Sequence, residues 1–206
     1  MKASGCYKLT FGLETGSQKT LKFIRKTQQD LQEAKRIIEY CNKIGIWTHS
    51  PFIIGFPYEE RADMEETMRY AEETDLDMAA FFIATPFPGT DLYKIYKSEG
   101  LLPKFEDPTQ LEWTGSQQYV MCNTMRFTKE ELRELVALAM KRFYKSRILK
   151  RLLKPGHLFS KCRSWDEIRY LFKLFKMSLQ MFRHFSYSEM VFEEEPKAPV
   201  PHLQDA

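Results

Sequence analysis

The chain has 206 residues, enough for one large domain or one domain with an appendage, and too many for a mini-protein. Its 43% apolar, 29% charged and 14% aromatic residues fall in the globular range and outside those of disordered, collagen-like or membrane-spanning chains. The net charge of +3 implies no nucleic-acid partner, but it is unevenly spread: between Lys141 and His184 thirteen Lys and Arg stand against Asp166 and Glu167, a local +11 set against −8 elsewhere.

Residues 7–12 read as a strand and 17–25 as a short helix. Asp30, with Glu33 three residues on, starts a second helix whose apolar positions Leu31, Ala34, Ile37, Ile38 and Cys41 recur at helical spacing up to Gly45. Residues 46–56 form a second strand, 61–74 a helix, 79–85 a third apolar strand and 91–99 a helix stopped by Gly100. This alternation predicts an α/β chain with a parallel sheet covered by helices, its apolar strands buried on both faces. Three such strands cannot close a barrel and leave two apolar edges unpaired. Lys2 followed by Gly5 reads as the end of a helix, so Met1 is expected to lie partway through the architecture and the chain to be a fragment.

The domain plan has a half barrel over residues 1–102, an irregular connection over 103–127, a basic helical extension over 128–190 and a disordered tail over 191–206. In the extension, Thr128 with Glu131 and Ser164 with Glu167 are capping boxes for helices running to about residues 153 and 185. In the second helix Ile168, Phe172, Phe175, Leu179 and Phe182 share one face, with a stripe of Arg169, Lys173, Lys176 and Arg183 beside it.

Cys6, Cys41, Cys122 and Cys162 are too widely spaced for CxxC, CxxxCxxC or CxxCH, so no metal ligands are read in this chain. Without a signal peptide, they suit reduced thiols in a cytoplasm. No run approaches the ~20 apolar residues of a spanning helix.

Ligands of parallel sheets bind at the carboxyl ends of the strands, where helix N-termini and loop amides converge. The three ends here are Gly12-Leu13-Glu14-Thr15-Gly16-Ser17, Gly55-Phe56-Pro57-Tyr58-Glu59 and Thr85-Pro86-Phe87-Pro88-Gly89-Thr90, each joining small residues that admit a ligand to a polar group. Glu14 can accept two ribose hydroxyls or simply serve a helix start, and Glu59 reads as an acid at the next helix N-terminus. His49 reads as an acid/base facing a barrel interior or, more readily, as a core histidine.

Taken in order, LTFGLETGS, FIIGFPYEE and FFIATPFPGTDLY resemble the second half of the radical S-adenosylmethionine (radical SAM) catalytic domain, in the branch commonly fused to a cobalamin-binding domain. The resemblance covers residues 3–102 and implies about three βα units, half of a partial (β/α) barrel, followed by C-terminal helices. In that family a four-iron, four-sulfur cluster held by three cysteines cleaves S-adenosylmethionine to a 5′-deoxyadenosyl radical. It implies that Glu14, Thr15, Gly16 and Ser17 meet the ribose and methionine parts of the cofactor. Ile54, Gly55, Phe56 and Pro57 match the motif beside the adenine, and Thr85 the closure near substrate. Thr15 stands where serine is usual and Tyr58 where glycine is usual.

The cluster motif is absent, so the expected partner is a missing N-terminal half that carries the 4Fe-4S cluster, with cobalamin on a further domain. The substrate, a small or lipid-like molecule by class, and the catalytic residues are both unknown at this level. The competing reading is a non-catalytic interaction module whose basic helices lie on an anionic membrane, on the inner face of a cytoplasmic membrane, with nucleic acid the weakest alternative.

Overall fold

The computed structural model describes residues 1–102, 122–153 and 161–162, with Trp165, Ile168, Arg169, Phe172 and Lys176 as single positions. Three strands, β1 (Lys8–Thr10), β2 (Trp47–Ile54) and β3 (Met78–Ile83), form one parallel sheet in the order β1-β2-β3. Between and after them run α1 (Gln18–Phe23), α2 (Leu31–Lys43), α3 (Arg61–Glu73), α4 (Asp91–Ser98) and α5 (Lys129–Leu153). The chain is α/β, and its three βα units and following helix match the partial barrel expected.

The caps explain where the helices begin. Asp30 accepts the N–H groups of Gln32 and Glu33 at the start of α2, which satisfies donors that the first turn leaves without intrahelical partners. Thr128 and Glu131 form a reciprocal box before α5, with Thr128 N–H on Glu131 Oε2 at 2.8 Å and Glu131 N–H on Thr128 Oγ1 at 3.2 Å. At the amino terminus the expected helix end is a single 3-10 turn, Lys2–Ser4, capped by Gly5.

Burial alternates along β2: Thr48, Ser50, Phe52 and Ile54 are buried, and Trp47, His49, Pro51 and Ile53 are half-buried. Register carries the same alternation to the neighbours, so Lys8, Thr10, Met78, Ala80 and Phe82 share the more open face. The expectation of strands covered on both faces is therefore corrected: helices cover the three strands on one side, and the other side keeps partial exposure. On the covered side Phe52 stacks on Phe81 with ring centroids 5.3 Å apart, over Ile38, Met64, Met68 and Leu76. Leu132, Leu135, Val136, Ala139 and Phe143 of α5 join this core at helical spacing. Arg142 bridges Glu65 and Glu72 of α3, and the Tyr144 hydroxyl donates to Ala79 O at 3.1 Å.

Residues 103–121 of the expected irregular connection and the expected tail lie outside the described residues. The second basic helix is described only at its single positions, all helical; Phe175, Leu179, Phe182, Lys173 and Arg183 lie outside them.

Candidate functional site

The carboxyl ends of the three strands stand side by side at one level. Ile53 N–H donates to Glu14 O at 2.6 Å, Glu14 forms an isolated parallel bridge with Phe52, and Ala84 N–H donates to Ile54 O at 2.9 Å. Sheet hydrogen bonding thus brings the ends at Glu14, Gly55 and Thr85 together, although 41 and 30 residues of chain separate them.

Glu14 holds a left-handed backbone at φ 64, a conformation that costs a non-glycine residue about 1 kcal/mol and is concentrated at ligand clamps. Its half-buried carboxylate accepts from Lys26 Nζ through Oε1 at 3.0 Å, and the same ammonium donates to Gly12 O at 3.0 Å. Among the described residues Oε2 has no partner, so the group can still accept from a ligand hydroxyl. Lys26 was not legible as part of the site; it follows Arg25, which is itself left-handed at φ 61, and no periodic signal marks it.

Thr15, Gly16 and Ser17 face the other way, into α3. The Thr15 hydroxyl shares a 2.8 Å hydrogen bond with that of Thr67, Gly16 N–H donates to Thr67 Oγ1 at 3.2 Å, and Ser17 Oγ donates to Asp63 Oδ1 at 3.4 Å. All three residues are buried, and their polar side chains anchor the loop that carries Glu14. A Cβ on Gly16 would lie 2.4 Å from Tyr70 Cβ and 3.1 Å from Glu66 O, so the glycine admits α3 rather than a ligand. Gly16→Ala is expected to destabilise the chain by about 1–3 kcal/mol in urea titration, as overpacking against backbone does.

At the end of β2 the Ile54 side chain is fully buried in the core, and the residue that alternates onto the open face is Ile53. Gly55 has φ 82, and a Cβ there would meet Leu132 Cδ2 of α5 at 3.0 Å and Ile83 Cγ2 at 3.3 Å. Phe56 is buried, with the Phe23 ring edge-on at 5.7 Å, and Pro57 is buried beside it. Tyr58 is exposed.

Glu59 does not start α3, as its position suggested; Glu60 is the cap, and its N–H donates to Asp63 Oδ2 at 2.8 Å. Glu59 turns back under its own loop and accepts Gly55 N–H at 2.6 Å, Phe56 N–H at 3.1 Å and the Thr20 hydroxyl at 3.1 Å. Burial pushes its carboxyl up to about 7, against the pull of the Phe56 and Gly55 amides and the Thr20 hydroxyl, while the Asp63 charge pushes further upward.

Thr85 is half-buried, and its hydroxyl donates to Ile83 O at 3.1 Å. His49 is neither a core residue nor at the strand ends: it lies on the open face with Nδ1 3.5 Å from Thr10 Oγ1, and burial, then the Lys8 cation, hold its imidazole below the usual range.

Among the described residues no three His, Cys, Asp or Glu side chains converge to hold a metal ion. Burial pushes the Cys41 thiol up and the Cys122 thiol up to about 11. The strand ends do suit a nucleoside: one accessible carboxylate oxygen for hydroxyls, flanked by the half-open apolar edge of Ile53 and Phe82.

Comparison with known proteins decides the family, because the profile of the radical SAM superfamily matches residues 1–71, which include β1, β2 and the loops carrying Glu14, Gly55 and Glu59. Residues 1–71 belong to the radical SAM superfamily. The chain is 34% identical over 151 residues to an uncharacterized methyltransferase of Pyrococcus horikoshii, covering 70% of this chain and 30% of that protein. It is 31% identical over 144 residues to the cytidylyl-2-hydroxyethylphosphonate methyltransferase of Streptomyces wedmorensis, covering 66% and 26%. It is also 31% identical over 100 residues to the bacteriochlorophyllide d C-8(2)-methyltransferase of Chlorobaculum tepidum, covering 48% and 22%. The chain thus spans under a third of the length of these relatives. Radical SAM membership brings S-adenosylmethionine and a 4Fe-4S cluster as the family's cofactors.

Proposed function

We propose that this chain supplies the nucleoside-binding half of a radical SAM catalytic site, and that the cluster and the first βα units belong to polypeptide outside the present sequence. The observation that carries the reading is Glu14: a left-handed acid at the level of two other strand ends, one oxygen held by Lys26 and the other open. Its carboxylate accepts ribose hydroxyls, the Lys26 ammonium orients it, and the Thr15, Gly16 and Ser17 contacts with α3 hold its loop still. Ile53, Gly55, Phe56 and Pro57 border the adenine, with Thr85 on the substrate side. Bound S-adenosylmethionine and a reduced cluster together supply the 5′-deoxyadenosyl radical chemistry.

The three relatives are named as methyltransferases, which supports methyl transfer as the reaction class; in this reading cobalamin on another domain is the methyl carrier. Saturation-transfer NMR of the chain with S-adenosylmethionine tests the reading. The ribose and adenine protons are expected to receive saturation, and Glu14→Ala is expected to weaken binding by about 1–3 kcal/mol through the lost hydroxyl partner. Absence of transfer, or transfer that Glu14→Ala leaves unchanged, defeats it.

A further inference from the structure

Helical positions in and just after an acid-free stretch of the chain present apolar side chains to solvent where a folded domain hides them. From Leu135 to Trp165 there is no Asp or Glu, and the stretch carries nine Lys and Arg. Several of these cations are used internally: Arg142 on Glu65 and Glu72, Arg147 on Asp75, and Lys161 on Asp77. What faces outward is ordered. On α5, among the described side chains, the exposed residues after Glu134 are Leu138, Lys141, Lys145 and Leu149, an arc of about 80° at helical spacing, with Leu149 60% exposed. Trp165, Arg169, Phe172 and Lys176 are helical and exposed, and at about 100° per residue they fall in an arc of about 60°. Trp165 is 80% and Phe172 67% exposed.

Each stripe interleaves large apolar side chains with cations; on α5 the exposed Glu131 and Glu134 continue the same arc toward the helix start, so the acid-free part begins at Leu138. A helix that merely covers a domain buries its apolar stripe and turns only its charges to water; α5 buries the Leu132-to-Phe143 stripe and still turns Leu138 and Leu149 outward beside its cations. That combination matches an interface that is negative at its surface and apolar a few ångströms below, where Lys and Arg snorkel to headgroups while Trp, Phe and Leu enter the acyl boundary. Aliphatic Leu138 and Leu149 have no stacking role on nucleic-acid bases, so a bilayer fits the set better than RNA. No described helix is long and apolar enough to cross a membrane, which leaves lying on the surface as the mode.

We propose that these two stripes, Leu138-Lys141-Lys145-Leu149 and Trp165-Arg169-Phe172-Lys176, form a docking surface for the headgroup layer of an anionic lipid bilayer. The surface serves to keep the chain at the membrane, and it stands independently of how the strand ends bind a cofactor.

Co-sedimentation of the full chain with vesicles tests it, comparing phosphatidylcholine alone with phosphatidylcholine containing about one phosphatidylglycerol in four. The chain is expected to sediment with the anionic vesicles only. Trp165→Ser combined with Phe172→Ser is expected to reduce the partition coefficient at least about tenfold through lost apolar insertion. Lys141→Gln, Lys145→Gln and Lys176→Gln together are expected to reduce it by about 100-fold at low salt, since each cation near the surface contributes about fivefold. All five side chains are exposed, so thermal melts of both variants should match the parent and exclude unfolding as the cause. Equal sedimentation with neutral vesicles, no sedimentation with either, partition unaffected in the two variants, or retention of single-stranded RNA with vesicles left unbound would each overturn the proposal.

Discussion

Replacing Glu59 by Ala is expected to lower the unfolding free energy by about 3 kcal/mol, while Glu59→Gln leaves it near the parent value at about pH 5 and above it at about pH 8. Glu59 lies 3% exposed under the loop that ends β2, and Ala would leave the Gly55 and Phe56 amides and the Thr20 hydroxyl without their acceptor. Each orphaned buried donor costs about 1–3 kcal/mol, partly offset because a carboxylate no longer has to be held out of water. The sign of the pH dependence follows from the raised folded value. The unfolded carboxyl releases its proton near 4.5, whereas the folded one keeps it until about 7. Between those values the native state binds the extra proton, so stability is full below about 4.5, falls as pH rises and levels out above about 7. The gap corresponds to at most about 3 kcal/mol. Gln mimics the protonated form, accepting the two amides through its oxygen and donating to Thr20, and removes that slope. His49, whose value is lowered, contributes a slope of the opposite sign, which cancels in the difference between parent and Gln variant. Urea midpoints across this range decide the matter: a difference curve that is flat with pH rejects Glu59 as the titrating clasp.

The contrast between Glu59 and its neighbours shows what a linear reading of the chain can reach. Apolar runs located all three strands and helical spacing the helices beside them, the Leu31, Ile38 and Cys41 stripe of α2 being a local consequence of which side meets the core, whereas the one-sided burial of β2 did not show in its run of residues. The strands came out shorter than expected, β1 at Lys8–Thr10 and β3 at Met78–Ile83, since apolar flanks such as Phe11 and Ala84 pack on the core or bond singly without extending the ladder. Motif order brought Glu14, Gly55 and Thr85 to adjacent strand ends. The same motifs did not reveal that Gly16 makes room for Tyr70, that Ser17 holds Asp63, or that Ile54 points into the core while Ile53 faces outward. Those facts depend on which element lies behind each loop, a tertiary property that spacing along the chain does not encode. Glu59 reads as a helix-start acid because most acids after a Pro turn are; only the packing of α1 beneath the loop turns it inward.

Lys161→Met is expected to cost about 3–4 kcal/mol, the second large effect, and to act at the opposite end of the sheet. The Lys161 side chain is fully buried, as is that of Asp77 at the start of β3, and the two form an ion pair. The same ammonium donates to Asn42 Oδ1 at 2.5 Å and stands 5.1 Å from the Trp47 ring centroid, while Asp77 Oδ2 also accepts Thr48 N–H at 2.8 Å and the Thr48 hydroxyl at 3.0 Å. A single side chain therefore fastens the C-terminal segment to the end of α2 and the beginnings of β2 and β3. Removing the cation strands a carboxylate in a region where water cannot compensate it, whereas removing both charges removes the reason for the cost. Asp77→Asn with Lys161→Met should accordingly be destabilised by less than the sum of the single variants, with a coupling of about 1–3 kcal/mol. Strict additivity in urea midpoints would show that the pair contributes no interaction of its own. Because this latch sits at the amino ends of the strands, protection of the Ile53 amide, which donates to Glu14 O at the carboxyl ends, should persist in Lys161→Met measured by native-state hydrogen exchange at low denaturant. Loss of that protection in step with the latch would mean that the two ends of the sheet open as one unit, and that the position of the Glu14 loop depends on a contact made at residue 161.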